Sequence, residues 1–153
     1  MKHLLALLLA ISLSAPGLAA EVSGLVVKPS QYGVGETIDR LEAALTAKGI
    51  GIVTRWNHAQ KAEEVGIPLR PTELLLFGNP KLGSNFFTSA QSSGIDLPMK
   101  ALAWEDADGN VWLGYNDPAY IAERHGIKDR AEVVKKMSGA LNTFSDIATG
   151  AAE

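Results

Sequence analysis

Two short runs of strand-forming residues, Lys100–Glu105 and Asn110–Tyr115, flank the segment Asp106-Ala107-Asp108-Gly109. An Asp-Gly pair supplies the positive φ angles that a tight reversal requires, so this stretch predicts a β-hairpin. A hairpin commits the chain to an antiparallel pair, and such a pair needs further strands or a packed helix to be stable in water. The remaining sequence offers both. Residues 22–28, with Val22, Leu25, Val26 and Val27, read as a first strand bounded by Pro29-Ser30. Ile50–Trp56 reads as a second strand. Glu73–Phe77 is nearly all apolar and predicts a central strand buried on both faces.

Helical spacing fills the gaps. Ile38, Leu41, Ala44 and Leu45 repeat at helical intervals after Gly33-Val34-Gly35-Glu36, where Glu36 stands as a capping acid. Lys48 and Gly49 suit the end of that helix. Asn57 caps a short helix that Gly66 ends, and Pro68 and Pro71 keep the following link extended. Ser84–Gln91 reads as helix. Asp117-Pro118 opens another helix toward His125-Gly126. Asp129, with Glu132 three residues on, opens the last, whose stripe of Val133, Val134, Met137, Leu141, Phe144 and Ile147 is core packing. Strands in a hairpin with helices interspersed predict a single α+β domain around a largely antiparallel sheet. A mixed sheet is the alternative, because helices separate several strands.

The N-terminus predicts export. Met1-Lys2-His3 is a short basic start, Leu4–Leu13 is apolar but for Ser12, and Pro16-Gly17 precede the small pair Ala19-Ala20. This is the three-part pattern of a cleavable signal peptide over residues 1–20. Cleavage after Ala20 leaves residues 21–153 as the mature domain, with cleavage after Ala19 as the neighbouring alternative. The apolar run is shorter than the roughly 20 residues that cross a bilayer core. No cysteine follows it, which excludes a lipoprotein anchor. The expected compartment is periplasmic or extracellular.

The chain has no cysteine at all, so disulfides, thiolate metal sites and thiol redox chemistry are excluded and stability must come from packing. The net charge of −3 is spread along the sequence without a basic cluster, which argues against nucleic acid as a partner. No second apolar stretch is long enough to span a membrane.

Four candidates for chemistry stand out. The loop Phe77-Gly78-Asn79-Pro80-Lys81-Leu82-Gly83-Ser84 joins a buried strand to a helix start, where free N–H groups and the helix dipole attract anions. Gly78, Asn79, Lys81, Gly83 and Ser84 would line a pocket for a small anionic ligand there. Gly78 and Gly83 have the spacing of a phosphate loop, but Ser84-Asn85 stands where Lys-Ser/Thr is needed. The competing reading, favoured here, is a tight turn capped by Asn79 or Ser84. His58 and His125, the histidines beyond residue 20, lack partners at ligand spacing, so turn or capping roles are expected and no metal or other cofactor. Asp106–Asn110 has calcium-ligand residue types, but Val111 occupies the place of the required glycine. Asp96, among Ile95, Leu97 and Pro98, would act as an acid or base if buried, and otherwise bonds its own turn.

Taken in order, the helix ending in Lys48-Gly49, Asn57-His58-Ala59, Phe77-Gly78-Asn79-Pro80-Lys81, Leu97-Pro98, Trp104-Glu105-Asp106 with Asp108-Gly109, and Tyr115-Asn116-Asp117-Pro118 resemble the domain of unknown function 302 family over about residues 24–148. Ser84-Asn85-Phe86-Phe87 departs from that family, which more often has Thr followed by Leu-Met. The resemblance implies a compact α+β domain and a homodimer, and no established reaction. An exported, non-catalytic binding or interaction module is the leading expectation. The rivals are an enzyme using His58 with Lys81 or Asp96 near the Gly78–Gly83 loop, and a structural envelope protein.

Overall fold

The computed structural model describes residues 22–151, so the leader read over Met1–Ala20 lies outside the described residues. The elements run β1 (Leu25–Ser30), α1 (Val34–Ala47), β2 (Gly51–Asn57), α2 (His58–Glu63), β3 (Thr72–Gly78), α3 (Pro80–Ser89), a 3-10 turn (Gln91–Ile95), β4 (Met99–Glu105), β5 (Val111–Asn116), α4 (Pro118–Arg124) and α5 (Ala131–Thr149). The strands form one five-stranded sheet in the order β1-β5-β4-β3-β2. Every pairing is antiparallel. The domain is α+β, and the mixed sheet kept as an alternative does not occur among the described residues.

The hairpin forms as the turn residues dictate. Gly109 takes φ +82°, and the Asp106 carboxylate accepts from the backbone N–H groups of Asp108 and Asn110, each at 2.9 Å. At the other hairpin arm Trp104 lies opposite Trp112. Helix α1 stops at Lys48 because Gly49, at φ +69°, reverses the chain while Ile50 N–H returns to the Leu45 carbonyl.

Helices α1, α3, α4 and α5 contribute to the core on one face of the sheet, whereas α2 buries no residue and its Lys61 lies 5.7 Å from the ring of Trp56. On that face Leu75, Phe77, Ala101, Ala103, Leu113 and Tyr115 meet Ile38, Leu41 and Leu45 of α1 and Met137, Leu141, Phe144 and Ala148 of α5, all buried. Two polar ties hold the layers together. Arg55 of the edge strand β2 reaches Glu73 of β3 and Asp39 of α1. Lys28 of β1 pairs with Asp146 of α5 at 2.6 Å. Glu73 and Asp39 together raise the affinity of Arg55 for its proton, so it stays charged at every accessible pH.

The structure corrects several expectations. β1 starts at Leu25, because Gly24 turns the chain at φ +76°, and it includes Pro29, which an edge strand tolerates. Neither α1 nor α5 has a side-chain cap. Glu36 simply lies in the first turn, and Asp129 is engaged by Ser89 and Arg130 instead. α3 begins at Pro80 rather than Ser84, because Asn79 caps it. Ile147 lies off the buried stripe of α5. β3 is next to an edge strand, and its residues alternate: Glu73, Leu75 and Phe77 are buried under helices while Leu74 and Leu76 are half-buried on the opposite face.

Candidate functional site

The covered face is not closed everywhere. Between α5, α3 and the β2–β3 end of the sheet lies a cleft of about 370 Å³, within the size range of small-molecule sites. Its floor is the start of β2 and the end of β3, at Ile52 and Phe77. Met137, Leu141 and Phe144 of α5 form one wall, and Leu82, Leu97 and Met99 help to form the other. Three local features shape it. A β-bulge between Ile52 and Thr54 interrupts the β2–β3 ladder. Gly51 and Gly78 lie opposite each other, and a Cβ on Gly78 would come within 3.4 Å of the Pro98 side chain. The Leu97–Pro98 peptide is cis.

The Gly78–Ser84 loop forms the rim. Gly78, Asn79, Gly83 and Ser84 line the cleft, and exposed Lys81 does not. Asn79 accounts for the backbone donors of this junction. Its side-chain Oδ1 accepts from Lys81 N–H at 3.0 Å. Its carbonyl accepts from Leu82 N–H at 3.0 Å and Gly83 N–H at 2.9 Å, and Pro80 has no N–H to give. The first turn of α3 is therefore satisfied within the chain, which is the capped turn weighed against an anion site. The cleft that the loop borders is apolar.

The remaining candidates are placed elsewhere. His58 begins α2 directly after Asn57, whose Oδ1 accepts from Gln60 N–H at 2.9 Å. Asn57 pairs with Glu73 and Gly51 with Gly78, so His58 and the loop sit at opposite ends of the ladder, about 20 Å apart at the usual rise per residue. His58 does not line the cleft. Asp96 follows the 3-10 turn and faces the end of α4. Its Oδ2 lies 2.6 Å from His125 Nε2 and its Oδ1 accepts from Arg124 at 3.0 Å. The other ring nitrogen, Nδ1, is 2.9 Å from Ser92 Oγ. Hydroxyl, imidazole and carboxylate thus form a chain of hydrogen bonds, but Ser92, Asp96 and His125 lie outside the cleft wall. With His125 as the C-cap of α4, the chain works as a clamp between the 3-10 turn and α4.

The enzyme arrangement of His58 with Lys81 or Asp96 is therefore not assembled: the three side chains occupy three separate places. Sequence reasoning missed the cleft wall of α5, reading Met137, Leu141 and Phe144 as core alone. It also missed the Asp96–His125 pair, which lies 29 residues apart in sequence. Among the described residues no three His, Asp or Glu side chains group as a metal site.

Comparison with known proteins gives three findings. The sequence profile of the domain of unknown function DUF302 matches residues 26–144. Proteins called "Fluoride-specific ion channel FluC 1" from Brucella suis biovar 1 (strain 1330) and Brucella abortus biovar 1 (strain 9-941) are each 43% identical over 129 residues, covering 84% of this chain and 51% and 48% of theirs. The chain spans about half the length of these relatives. The crystal structure of an uncharacterized conserved DUF302 protein from Bacillus stearothermophilus superposes with a TM-score of 0.72 at 22% identity, covering 83% of this chain and 99% of that one. That likeness bears on the fold alone.

Proposed function

This chain belongs to the DUF302 family, and from that premise we propose that it is an exported, non-catalytic binding module that holds a small apolar ligand in the cleft between α5 and the sheet. It acts in the periplasm or outside the cell after loss of residues 1–20, and it does so as a homodimer. The observation that carries the reading is the chemistry of the cleft: aromatic, aliphatic and thioether side chains converge there, and its loop has its backbone donors already occupied by Asn79. Such a wall favours an apolar body by excluding water. An anionic end on the ligand would stay at the rim, where Lys81 is exposed. Medium-chain fatty acids and aromatic carboxylates have this chemistry.

The test is a thermal melt of the exported protein with decanoate, phenylacetate or inorganic phosphate. The first two raise Tm and phosphate does not. Ala140→Phe, which fills the cleft from α5, removes the ligand effect and keeps the fold. A Tm raised by phosphate alone would overturn the reading.

The relatives called fluoride channels favour a second reading. No helix of the described residues is long and apolar enough to cross a membrane. In those longer proteins, then, the part like this chain would be a companion to a channel rather than its pore. Fluoride efflux from cells with and without this chain tests that. Unchanged efflux removes it.

A further inference from the structure

The face of the sheet that points away from α1 and α5 is apolar across its width. Strand alternation and register place Leu25 and Val27 of β1, Trp112 of β5, Leu102 and Trp104 of β4, Leu74 and Leu76 of β3, and Trp56 of β2 on it. None of these residues belongs to the buried core or to the side chains packed against it. All three tryptophans of the protein are here. The Trp104 indole packs against Gly114, where a Cβ would come within 3.0 Å of it, and Trp56 is 46% exposed. The one charged side chain that the alternation puts on this face, Lys100, is folded back onto the carbonyls of Asp96 and Pro98.

We propose that two copies of this chain associate through this open face, sheet against sheet. The proposal rests on the homodimer of the functional reading and names the surface that forms it. Three observations select a second copy as the occupant. The middle of the face is apolar and its charges stand at the margins, where Lys61 lies 5.7 Å from the Trp56 ring, Asp106 accepts from the Trp112 indole and Lys100 folds back on its own chain, so two copies can meet apolar centre to apolar centre, as a two-fold interface requires. Its area suffices: five strands spaced about 4.8 Å apart, each about 20 Å long, give about 480 Å² in projection per copy. Two such faces with their side-chain relief bury on the order of 1,000 Å², where specific interfaces begin. The alternative of pairing at sheet edges is blocked on both sides, because β1 carries Pro29 and β2 is broken by its bulge.

Because every tryptophan is on this face, intrinsic fluorescence reports it without a label. Light scattering and tryptophan emission are followed together as the exported protein is diluted from the high micromolar range. The expected result is a dimer whose dissociation red-shifts the emission and increases quenching by iodide. Leu102→Lys should weaken association at least about tenfold by setting a charge in an apolar interface. The lysine can reach solvent in the monomer, and unchanged circular dichroism checks the fold. Trp56→Ala, at the exposed margin, is the second variant should Leu102→Lys fail to fold, and it should weaken association in the same direction. A dimer that dissociates with unchanged emission and quenching overturns this surface while leaving the homodimer. A monomer at every concentration overturns both. Neither outcome touches the cleft, which Ala140→Phe tests separately.

Discussion

The same strands present alternate residues to two different surroundings. On the covered face Leu75, Ala103 and Leu113 have no exposed surface, and Tyr115 is buried deeply enough that desolvation pushes its hydroxyl pKa up. On the open face Leu74, Leu102 and Trp112 are just as apolar but only half-buried. The difference teaches that apolar patterning marks which residues avoid water, and not what covers them. In this protein one face carries the buried core under α1 and α5, open only at a cleft, and the other face contributes nothing to that core.

The contrast can be broken most directly by truncating neighbours in β3. Leu75→Ala should cost about 2–5 kcal/mol, as expected for a buried leucine that leaves a cavity. Leu74→Ala should cost less, about 1–2 kcal/mol in dilute protein, since Leu74 is only partly removed from water in one copy and its loss leaves no closed cavity. Urea unfolding at two protein concentrations separates the two. The Leu75 penalty stays constant and the Leu74 penalty grows with concentration, because association stabilises the folded state by mass action. Equal penalties would end the distinction between the faces.

A second, smaller effect belongs to the polar seam of the covered face. Glu73 is 7% exposed and holds Arg55 from the edge strand. Glu73→Gln should cost about 2 kcal/mol, the scale of a lost charge-assisted hydrogen bond, and should loosen β2 first. Amide hydrogen exchange along β2 is the readout, and uniform exchange throughout the sheet would contradict it.

The rim of the cleft gives a third test. Asn79→Ala should cost about 1 kcal/mol, the usual loss for a helix cap, whereas Lys81→Ala should be close to neutral for an exposed lysine. Thermal melts compare them. An Asn79→Ala melt matching the parent would remove the capping role.

The smallest effect lies at the hairpin end of the open face. The Trp112 indole donates to Asp106 at 2.8 Å and, with the N–H groups of Asn110 and Asp108, holds the carboxyl pKa down to about 2 from 3.8. A depressed folded pKa means that this contribution is complete above the unfolded value and is lost as pH falls from about 4 toward 2. Trp112→Phe should move the Asp106 titration upward in an NMR pH series, and an unmoved titration would refute the link.

Much of this fold was legible beforehand because its signals are local. Asp108-Gly109 fixes a turn by φ alone, Asn57 and Asn79 cap helices with their own side chains, and the α1 stripe is set by helical spacing. The errors came where the decisive partner is distant. Leu74, Leu75 and Leu76 have the same hydropathy, so nothing local says that the middle one alone joins the buried core. Glu36 and Asp129 have the right residue types for capping, yet the chain's path through Gly33 and Arg130 leaves them without that role. The cleft was half visible. Its glycine-rich rim announced itself, but Met137, Leu141 and Phe144 look like core residues wherever they stand, and only the bulge in β2 and the placing of α3 leave space beside them. His58 drew attention as a rare residue type, and the length of β3 removes it from the rim.

The two faces can be observed in one experiment, because each has its own natural probe. Met99 and Met137, the methionines beyond Met1, both line the cleft, while Trp56, Trp104 and Trp112 report the open face. The most direct test of the central claim is a titration of the exported protein with decanoate, followed by the methionine methyl and tryptophan indole signals in NMR. Ligand binding in the cleft predicts saturable shifts of both methyl signals with the three indole signals fixed. Indole shifts with unmoved methyls, or no saturable shift of the methyls at all, would contradict it.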